Sequence, residues 1–542
     1  MTSHTYNLFW KEHEKEIIIH NDNRNKDKMN IIESCVDRHA LATPNKLAFS
    51  FENKNIKTFT YKHLQEEVNK FANLLNELGI KENSRVFLFL PKIPEMYIGI
   101  LGTIKHGSIA IPLFEAFQKD GLELRLNRGD AQVLITNKEL SKRIPKDIHK
   151  KIPSLKHVLI IDEDEYKNKI KKQSKEFKAV LKNKLDTATM IFTSSTAGTP
   201  VAGIQIPHQA LIQQHYTAKL VLDLNKEDNY WCTAHPGWVT GTIYGILAPL
   251  SIGCSNFILE SHFDAKQWIG FMKKNRISVI YTAPTVLRLL KPVIKKSDLT
   301  GIRNICSVGE ALNASVYDFY KKLGVDINDT YWQTETGAMV IATWSQSSFS
   351  KKMNLPSLKK KHGMLGKAIP GITAKIIDNA ISLKPDFPAL MTGIYKHEQM
   401  YKDYFKDGWF RTNDSATMDK DRCFFFIGRK DDIIKISGER VSPIEIESTL
   451  IKHKSVKEAA VIGVPDEIKG AILKAFIVLS DKIEPSKNLK QELSMFVKQN
   501  YAGHSYPKII EFVSQLPKTN SGKIIRMKLR EMEEKNKTKK YQ

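Results

Sequence analysis

Up to about residue 430 the chain alternates two hydrophobic patterns. Short apolar runs such as Arg85-Val-Phe-Leu-Phe-Leu90 and Lys156-His-Val-Leu-Ile-Ile-Asp162 read as buried strands, because β-rich runs of this length between polar residues suit a sheet interior. Between them lie stretches such as Tyr61 to Leu78, whose apolar positions fall at helical spacing and predict an amphipathic helix. Strand and helix in alternation predict α/β layers with largely parallel strands. The longest apolar stretch, Met96 to Phe114, is interrupted by Lys105, His106 and Gly107, so it predicts a core helix followed by a strand and no bilayer span.

The pattern changes after Phe424-Phe-Phe-Ile-Gly-Arg429. A charged stretch, Lys430-Asp-Asp432, precedes a compact unit with a helix from Ser442, strands at 458–463 and 475–479, a helix from Leu489 and a basic helical end. We expect two domains: residues 1–430, a large multi-layer α/β domain, and residues 431–542, a small mobile α+β domain behind a hinge. The fold class is α/β, α+β overall. At 542 residues the chain is long enough to bury its core without covalent staples. No internal repeat or low-complexity segment is visible.

Composition narrows the classes. Cys35, Cys232, Cys254, Cys306 and Cys423 stand singly, which argues against a zinc site or disulfide framework and suits a reducing cytoplasm. The first residues carry no apolar run of the kind a signal peptide needs, so a cytoplasmic protein is expected. The net charge is +24, from 83 Lys and Arg against 59 Asp and Glu. It has two readings: attraction to polyanions, or a lysine-rich composition spread over the chain. No basic block interleaved with aromatics stands out, which favours the second, and neither nucleic acid nor membrane is expected as a partner.

Chemistry collects at a few places. Thr189-Met-Ile-Phe192 reads as a strand running into Thr193-Ser-Ser-Thr-Ala-Gly-Thr-Pro200. There Thr193, Ser194, Ser195, Thr196 and Thr199, with Gly198, can turn several donors toward one anion. The stretch is a phosphate-loop candidate or an ordinary turn, and it lacks Walker A spacing. In Asp329-Thr-Tyr-Trp-Gln-Thr-Glu-Thr-Gly337, Glu335 is a candidate Mg²⁺ ligand, since that ion takes one or two carboxylates plus substrate phosphates; a surface carboxylate beside core aromatics is the alternative. Gly408-Trp-Phe-Arg-Thr-Asn-Asp414 and Gly428 to Arg440 bring Asp414 near Arg429 in sequence, which fits ribose held by a carboxylate and an arginine fork, or a plain salt bridge. Leu516-Pro-Lys-Thr-Asn-Ser-Gly-Lys523 ends a small polar loop on a lysine.

These motifs, in this order from about residue 30 to 530, resemble the acyl-adenylate-forming superfamily of acyl-CoA synthetases, adenylation domains and luciferases. Tyr230 to Gly241, Ser307-Val-Gly-Glu-Ala-Leu-Asn313 and Trp332 to Glu335 are similar to its acetyl-CoA synthetase branch. The resemblance implies a ligase that makes an acyl-adenylate from a carboxylate and ATP and passes the acyl group to coenzyme A. It implies Trp332 as the floor of the acyl pocket, with Val239, Thr240 and Val308 as walls, and hence acetate or propionate. Gly309, Glu310, Ala311 and Thr334 would serve adenine and ribose with Asp414 and Arg429. Lys523 would touch the acyl carboxylate and bridging oxygen, Arg440 the phosphate, and Mg²⁺ on Glu335 the pyrophosphate. Asp431 matches the hinge and Gly438 the coenzyme A channel. The partners implied are small molecules, plus a lysine acetyltransferase and deacetylase acting at Lys523.

The chain departs from the family pattern in places. Ser195 and Ala197 replace a Gly and a Thr, and Val201-Ala202-Gly203 stands where Lys-Gly is expected, which removes a cation from the pyrophosphate side. Asn413 replaces a Gly and Asn520 a basic residue. After Ile377-Asp-Asn-Ala380 the Gly- and Glu-rich hairpin of the family is missing about a dozen residues. Two further readings stay open: a relative that binds the adenylate without turning it over, and one that loads a carrier-protein thiol.

Overall fold

The computed structural model describes residues 6–18, 27–193, 202–261, 263–310, 312, 314–356, 358, 360–361, 363–429, 434–436, 439–441, 443–466, 470–500, 506–518 and 524–540. Two large sheets dominate it. The smaller is built around Arg85–Phe89, which runs parallel to Ile109–Leu113 on one side and to Val133–Thr136 on the other. His157–Ile160 and Thr187–Phe192 extend it in parallel, Gly203–Pro207 adds to Thr187–Phe192 in antiparallel pairing, and Gly393–Ile394 forms the edge beyond it, also antiparallel. The larger sheet has a parallel half ordered Ile327–Tyr331, Asn304–Val308, Val279–Thr282, Asn229–Cys232, Ser255–Leu259, Leu47–Glu52. Met96 to Phe114 does split, into the helix Pro94–Lys105 and the strand Ile109–Leu113, both almost wholly buried.

The other half of the larger sheet is antiparallel, where the alternation predicted parallel strands. It runs through Ile341–Ala342, Met364–Ala368, Phe424–Arg429, Trp409–Met418 and Ala380–Leu383 to Ala374–Ile377. For two of these pairs, Ala374–Ile377 with Ala380–Leu383 and Trp409–Met418 with Phe424–Arg429, the reason is connection length: parallel neighbours need a crossover of about a dozen residues, while a tight turn can only reverse the chain. The missing hairpin residues are replaced by such a turn: Asp378 and Asn379 both take positive φ, 51° and 60°, the geometry of a two-residue hairpin loop. The strands on either side stay paired from Ala374–Leu383 to Ile377–Ala380, so the shortening leaves the sheet intact.

From residue 434 onward the apolar side chains form clusters of their own. Ile446, Leu450, Val461, Ile477 and Leu493 make one, and Ile462, Phe476 and Leu529 belong to another. They lie on the strands Val456–Asp466, Gly470–Leu479 and Ile509–Phe512 and the helices packed on them. This is the smaller C-terminal α+β portion beside a large α/β portion. Among the described residues no helix is long and apolar enough to cross a membrane.

Candidate active site

In open α/β sheets ligands sit beyond the carboxyl ends of the parallel strands. Here those ends carry the residues singled out by the sequence. Asn304–Val308 delivers Gly309 and Glu310; Gly309 has φ 88°, a backbone shape that a side chain disfavours. Ile327–Tyr331 delivers Trp332 to Glu335. Asn229–Cys232 delivers the segment from Thr233 to Gly241.

That last segment is clamped where the two sheets meet. His235 Nδ1 accepts from the Gly237 N–H at 2.8 Å, so Nε2 carries the proton and donates to Leu90 O at 3.1 Å, just past the strand Arg85–Phe89. Burial pushes this imidazole down to about 3, and it stays a neutral staple. A Cβ at Gly237 would stand 2.3 Å from Phe114 N, and one at Gly241 2.1 Å from His235 O, so neither position admits a larger residue without movement. Val239 and Thr240 follow as the start of the short helix Val239–Thr242. Val239, Val308 and Trp332 are half-buried and pack on one apolar cluster, so three of the four residues expected at the acyl pocket share one core.

Asp414 is 8% exposed on Trp409–Met418. Its Oδ2 accepts from Tyr331 Oη at 2.9 Å and from Gln333 Nε2 at 2.6 Å. Oδ1 receives no donor among the described residues, so it can accept from a ligand. Strand pairing sets Asp414 opposite Arg429, while the side chain of Arg429 lies outside the described ones. Sequence reasoning missed Tyr331 and Gln333 as the groups that steady this carboxylate. Their signal was the two-residue spacing, which puts both on one side of an extended chain with Trp332 between them.

Glu335 is half-buried, and its carboxylate accepts from Tyr404 Oη at 3.1 Å. Its carbonyl receives Met391 N–H at 2.9 Å, and at Gly337 a Cβ would meet Ala389 O at 2.0 Å, so the loop is held tightly. Glu310 is tied to the helix Pro284–Leu290: its carboxylate accepts from Thr285 Oγ1 at 2.7 Å and from Arg288 Nη2 at 2.9 Å. Thr334 lies half-buried in the Trp332–Glu335 turn. Thr193 stands at the end of Thr187–Phe192, its N–H bonded to Ala202 O at 3.2 Å. Ser194, Ser195, Thr196, Gly198, Thr199, Ala311, Asp431, Gly438 and Lys523 lie outside the described residues. The backbone at Arg440 pairs with Lys435, and its side chain also lies outside those described. Lys518 and Ile524 bridge across the loop that ends on Lys523.

One buried acid sits beneath this surface. Asp329 Oδ1 accepts from Ser307 Oγ at 2.5 Å and from the Thr330 N–H at 3.1 Å. Burial pushes its carboxyl up to about 7, against the pull of these two donors. Between the ordinary carboxyl range and pH 7 the folded chain therefore keeps a proton that the unfolded chain has lost, and stability falls as pH rises through that window. Asp329→Asn flattens the fall. Melting midpoints followed from pH 4 to 8 check this, and identical slopes in the two proteins would refute it.

A family model described as AMP-binding enzyme matches residues 36–386, and one described as AMP-binding enzyme C-terminal domain matches residues 445–523. The chain belongs to the AMP-binding enzyme family. The acetyl-coenzyme A synthetase of Bacillus subtilis (strain 168) is 41% identical over 534 residues, covering 93% of this chain and 91% of that relative. The acetyl-coenzyme A synthetase of Methanothrix thermoacetophila is 34% identical, covering 92% of this chain and 82% of its own. Among solved structures, a Brucella canis acyl-CoA synthetase is 29% identical with a TM-score of 0.71, covering 97% of each chain. An anthranilate CoA ligase in complex with anthranoyl-AMP gives a TM-score of 0.84 at 26% identity, over 93% of this chain and 97% of that one. The resemblance to the adenylate-forming superfamily is borne out, and this AMP-binding enzyme joins a carboxylic acid to coenzyme A in two steps through an acyl-adenylate.

Proposed function

We propose that the acid is acetate, with propionate next, so that acetate and ATP give acetyl-AMP and diphosphate, and acetyl-AMP and coenzyme A give acetyl-CoA and AMP. Trp332 carries this choice. Its half-buried indole follows a buried strand and packs on the same cluster as Val239 and Val308, with Thr240 beside Val239, which supports reading it as the group that takes the space a longer acyl chain would need. Each methylene in such a pocket is worth about 1–3 kcal/mol, so a filled pocket rejects longer acids by steric conflict while acetate gains little from it. The acetyl-coenzyme A synthetases among the relatives support the same acid.

A carboxylate is a poor acyl donor because its leaving group would be oxide, and AMP supplies a better one. Bringing it to the α-phosphate of ATP gathers several negative charges, which cations must offset. Lys523 contacts the attacking carboxylate and Arg440 the phosphate, while the loop from Thr193 through Ser194, Ser195, Thr196, Gly198 and Thr199 turns donors to the β- and γ-phosphates. Asp414, steadied by Tyr331 and Gln333 and paired with Arg429, takes the ribose hydroxyls. The backbone of Gly309, Glu310 and Ala311 lines the adenine with Thr334 nearby, since the Glu310 carboxylate is committed to Arg288. Glu335 offers one hard oxygen donor at the mouth of the site, and no group of three or more His, Cys, Asp or Glu forms a ready cage among the described residues. That fits Mg²⁺ held by one carboxylate and the substrate phosphates, where the ion would neutralise the leaving pyrophosphate.

The thiol must then reach the carbonyl that Lys523 covered. Rotation of residues 431–542 about Asp431, against residues 1–430, withdraws Lys523 and brings Gly438 to the coenzyme A channel. The enzyme works in the cytoplasm, and Lys523 is the residue a lysine acetyltransferase would switch off and a deacetylase restore. Acetate-dependent, magnesium-requiring exchange of pyrophosphate into ATP is the expected result. No exchange with any acid from two to eight carbons would overturn the proposal, and exchange without thioester formation would move the acceptor to a carrier-protein thiol.

A further inference from the structure

Two tyrosines from other elements hold Trp332. The indole meets the Tyr244 ring edge to face, at 5.0 Å between centroids and 79°. Its Nε1–H donates to Tyr281 Oη at 3.0 Å. Tyr281 Oη lies 2.8 Å from Thr330 Oγ1, and Thr330 Oγ1 donates to Ser307 O at 2.7 Å. The ends of this chain fix its direction, because an indole nitrogen only donates and a carbonyl only accepts. The Thr330 proton is committed to Ser307, so the contact between the two hydroxyls uses the Tyr281 proton. Tyr281 therefore meets the indole with a lone pair. Each donor has one acceptor, from Trp332 to Tyr281 to Thr330 to the Ser307 carbonyl.

The chain runs across neighbouring parallel strands. Tyr281 lies on Val279–Thr282, Thr330 on Ile327–Tyr331, and Asn304–Val308 between them supplies Ser307. Tyr281 is 0% and Thr330 5% exposed, so water does not compete for these bonds. The indole is thereby anchored to the sheet and not only to its own loop.

We infer that Tyr281 determines acyl-chain selectivity by fixing the depth of the Trp332 indole. This rests on the reading of Trp332 as the pocket floor. A floor free to tilt yields to an extra methylene, whereas one bonded through Tyr281 to the sheet does not. Tyr281 acts through Trp332, which makes it a positioning residue. The Tyr244 contact is apolar and adds no hydrogen bond, so loss of the Tyr281 hydroxyl removes the hydrogen bond that ties the indole to the sheet.

The test is pyrophosphate exchange with acetate, propionate and butyrate in the full chain and in Tyr281→Phe, Thr330→Val, Trp332→Gly and the Tyr281→Phe/Trp332→Gly pair. Tyr281→Phe should lower the acetate-over-butyrate ratio of kcat/KM by about tenfold, the low end of what one methylene is worth. Thr330→Val, which removes the Tyr281 acceptor and keeps the shape, should shift the ratio the same way and less. In the Trp332→Gly background the Tyr281 change should alter the ratio by less than about twofold, because the group it acts through is gone. If Trp332→Gly widens the acid range while Tyr281→Phe leaves the ratio unchanged, the inference is overturned and the pocket floor stands. An equal effect of Tyr281→Phe with and without Trp332 also overturns it. If Trp332→Gly itself leaves the range unchanged, the reading of the floor falls.

Discussion

Lys523→Ala abolishes acetate-dependent exchange of pyrophosphate into ATP and spares thioester formation from acetyl-AMP supplied to the enzyme. The asymmetry follows from where charge develops. In the first half-reaction a carboxylate oxygen attacks a phosphorus that already bears negative oxygens, and the lysine is the cation assigned to the attacking side. Removing one preorganised charge-stabilising group costs about 10²–10³ in rate, and the altered loop, with Val201-Ala202-Gly203 where the family's Lys-Gly is expected, leaves fewer cations to compensate. A fall of about 10³ or more is expected. In the second half-reaction the adenylate already carries a good leaving group, and in the function proposed above the thiol takes the space the lysine vacates. Single-turnover measurement of each half-reaction separates them. Equal loss in both would assign Lys523 to the fold instead, and undiminished exchange would remove it from the chemistry.

Trp332→Gly opens the enzyme to acids of four to six carbons, with butyrate gaining about 10²-fold on acetate, since two added methylenes move from steric conflict to apolar contact. The substitution leaves no donor stranded. Tyr281 keeps its own proton on Thr330 and loses only the indole N–H that it accepted, and an unfilled acceptor costs less than an orphaned donor. The Tyr244 hydroxyl likewise keeps Thr217 and the Met339 N–H. Competition between acetate and butyrate for exchange measures the change. Unaltered selectivity would place the acyl chain elsewhere.

Period and punctuation made much of the fold readable. Tyr61 to Leu78 forms the helix Tyr61–Glu77, and the strand before Thr193 is Thr187–Phe192, because local spacing fixes which face is buried. The order of strands was not readable. Leu47–Glu52 pairs with Ser255–Leu259, a partner some two hundred residues away that no local pattern names. The helix Leu8–Glu14 was also missed: a short segment secured by one wholly buried Trp10, whose Nε1 donates to Gly371 O at 3.1 Å, carries little periodicity of its own. At the site the sequence supplied the residue types and the structure supplied their partners. Asp414 meets Tyr331 and Gln333, and Glu335 meets Tyr404, since a carboxylate in a distant strand finds its donors only when the sheet closes.

The two-residue turn at Asp378 and Asn379 offers a handle on the enzyme. Both residues are exposed at the outer end of the larger sheet, and Trp409–Met418, Phe424–Arg429, Met364–Ala368 and Ile341–Ala342 separate that hairpin from Ile327–Tyr331. Doubling the length of a loop costs only about 0.6 kcal/mol in closure entropy. A fluorophore-bearing peptide spliced between Asp378 and Asn379 would thus sit beside the strand that carries Asp414, since the Ala416 N–H donates to Asn379 O at 3.1 Å, close enough to report on nucleotide binding there.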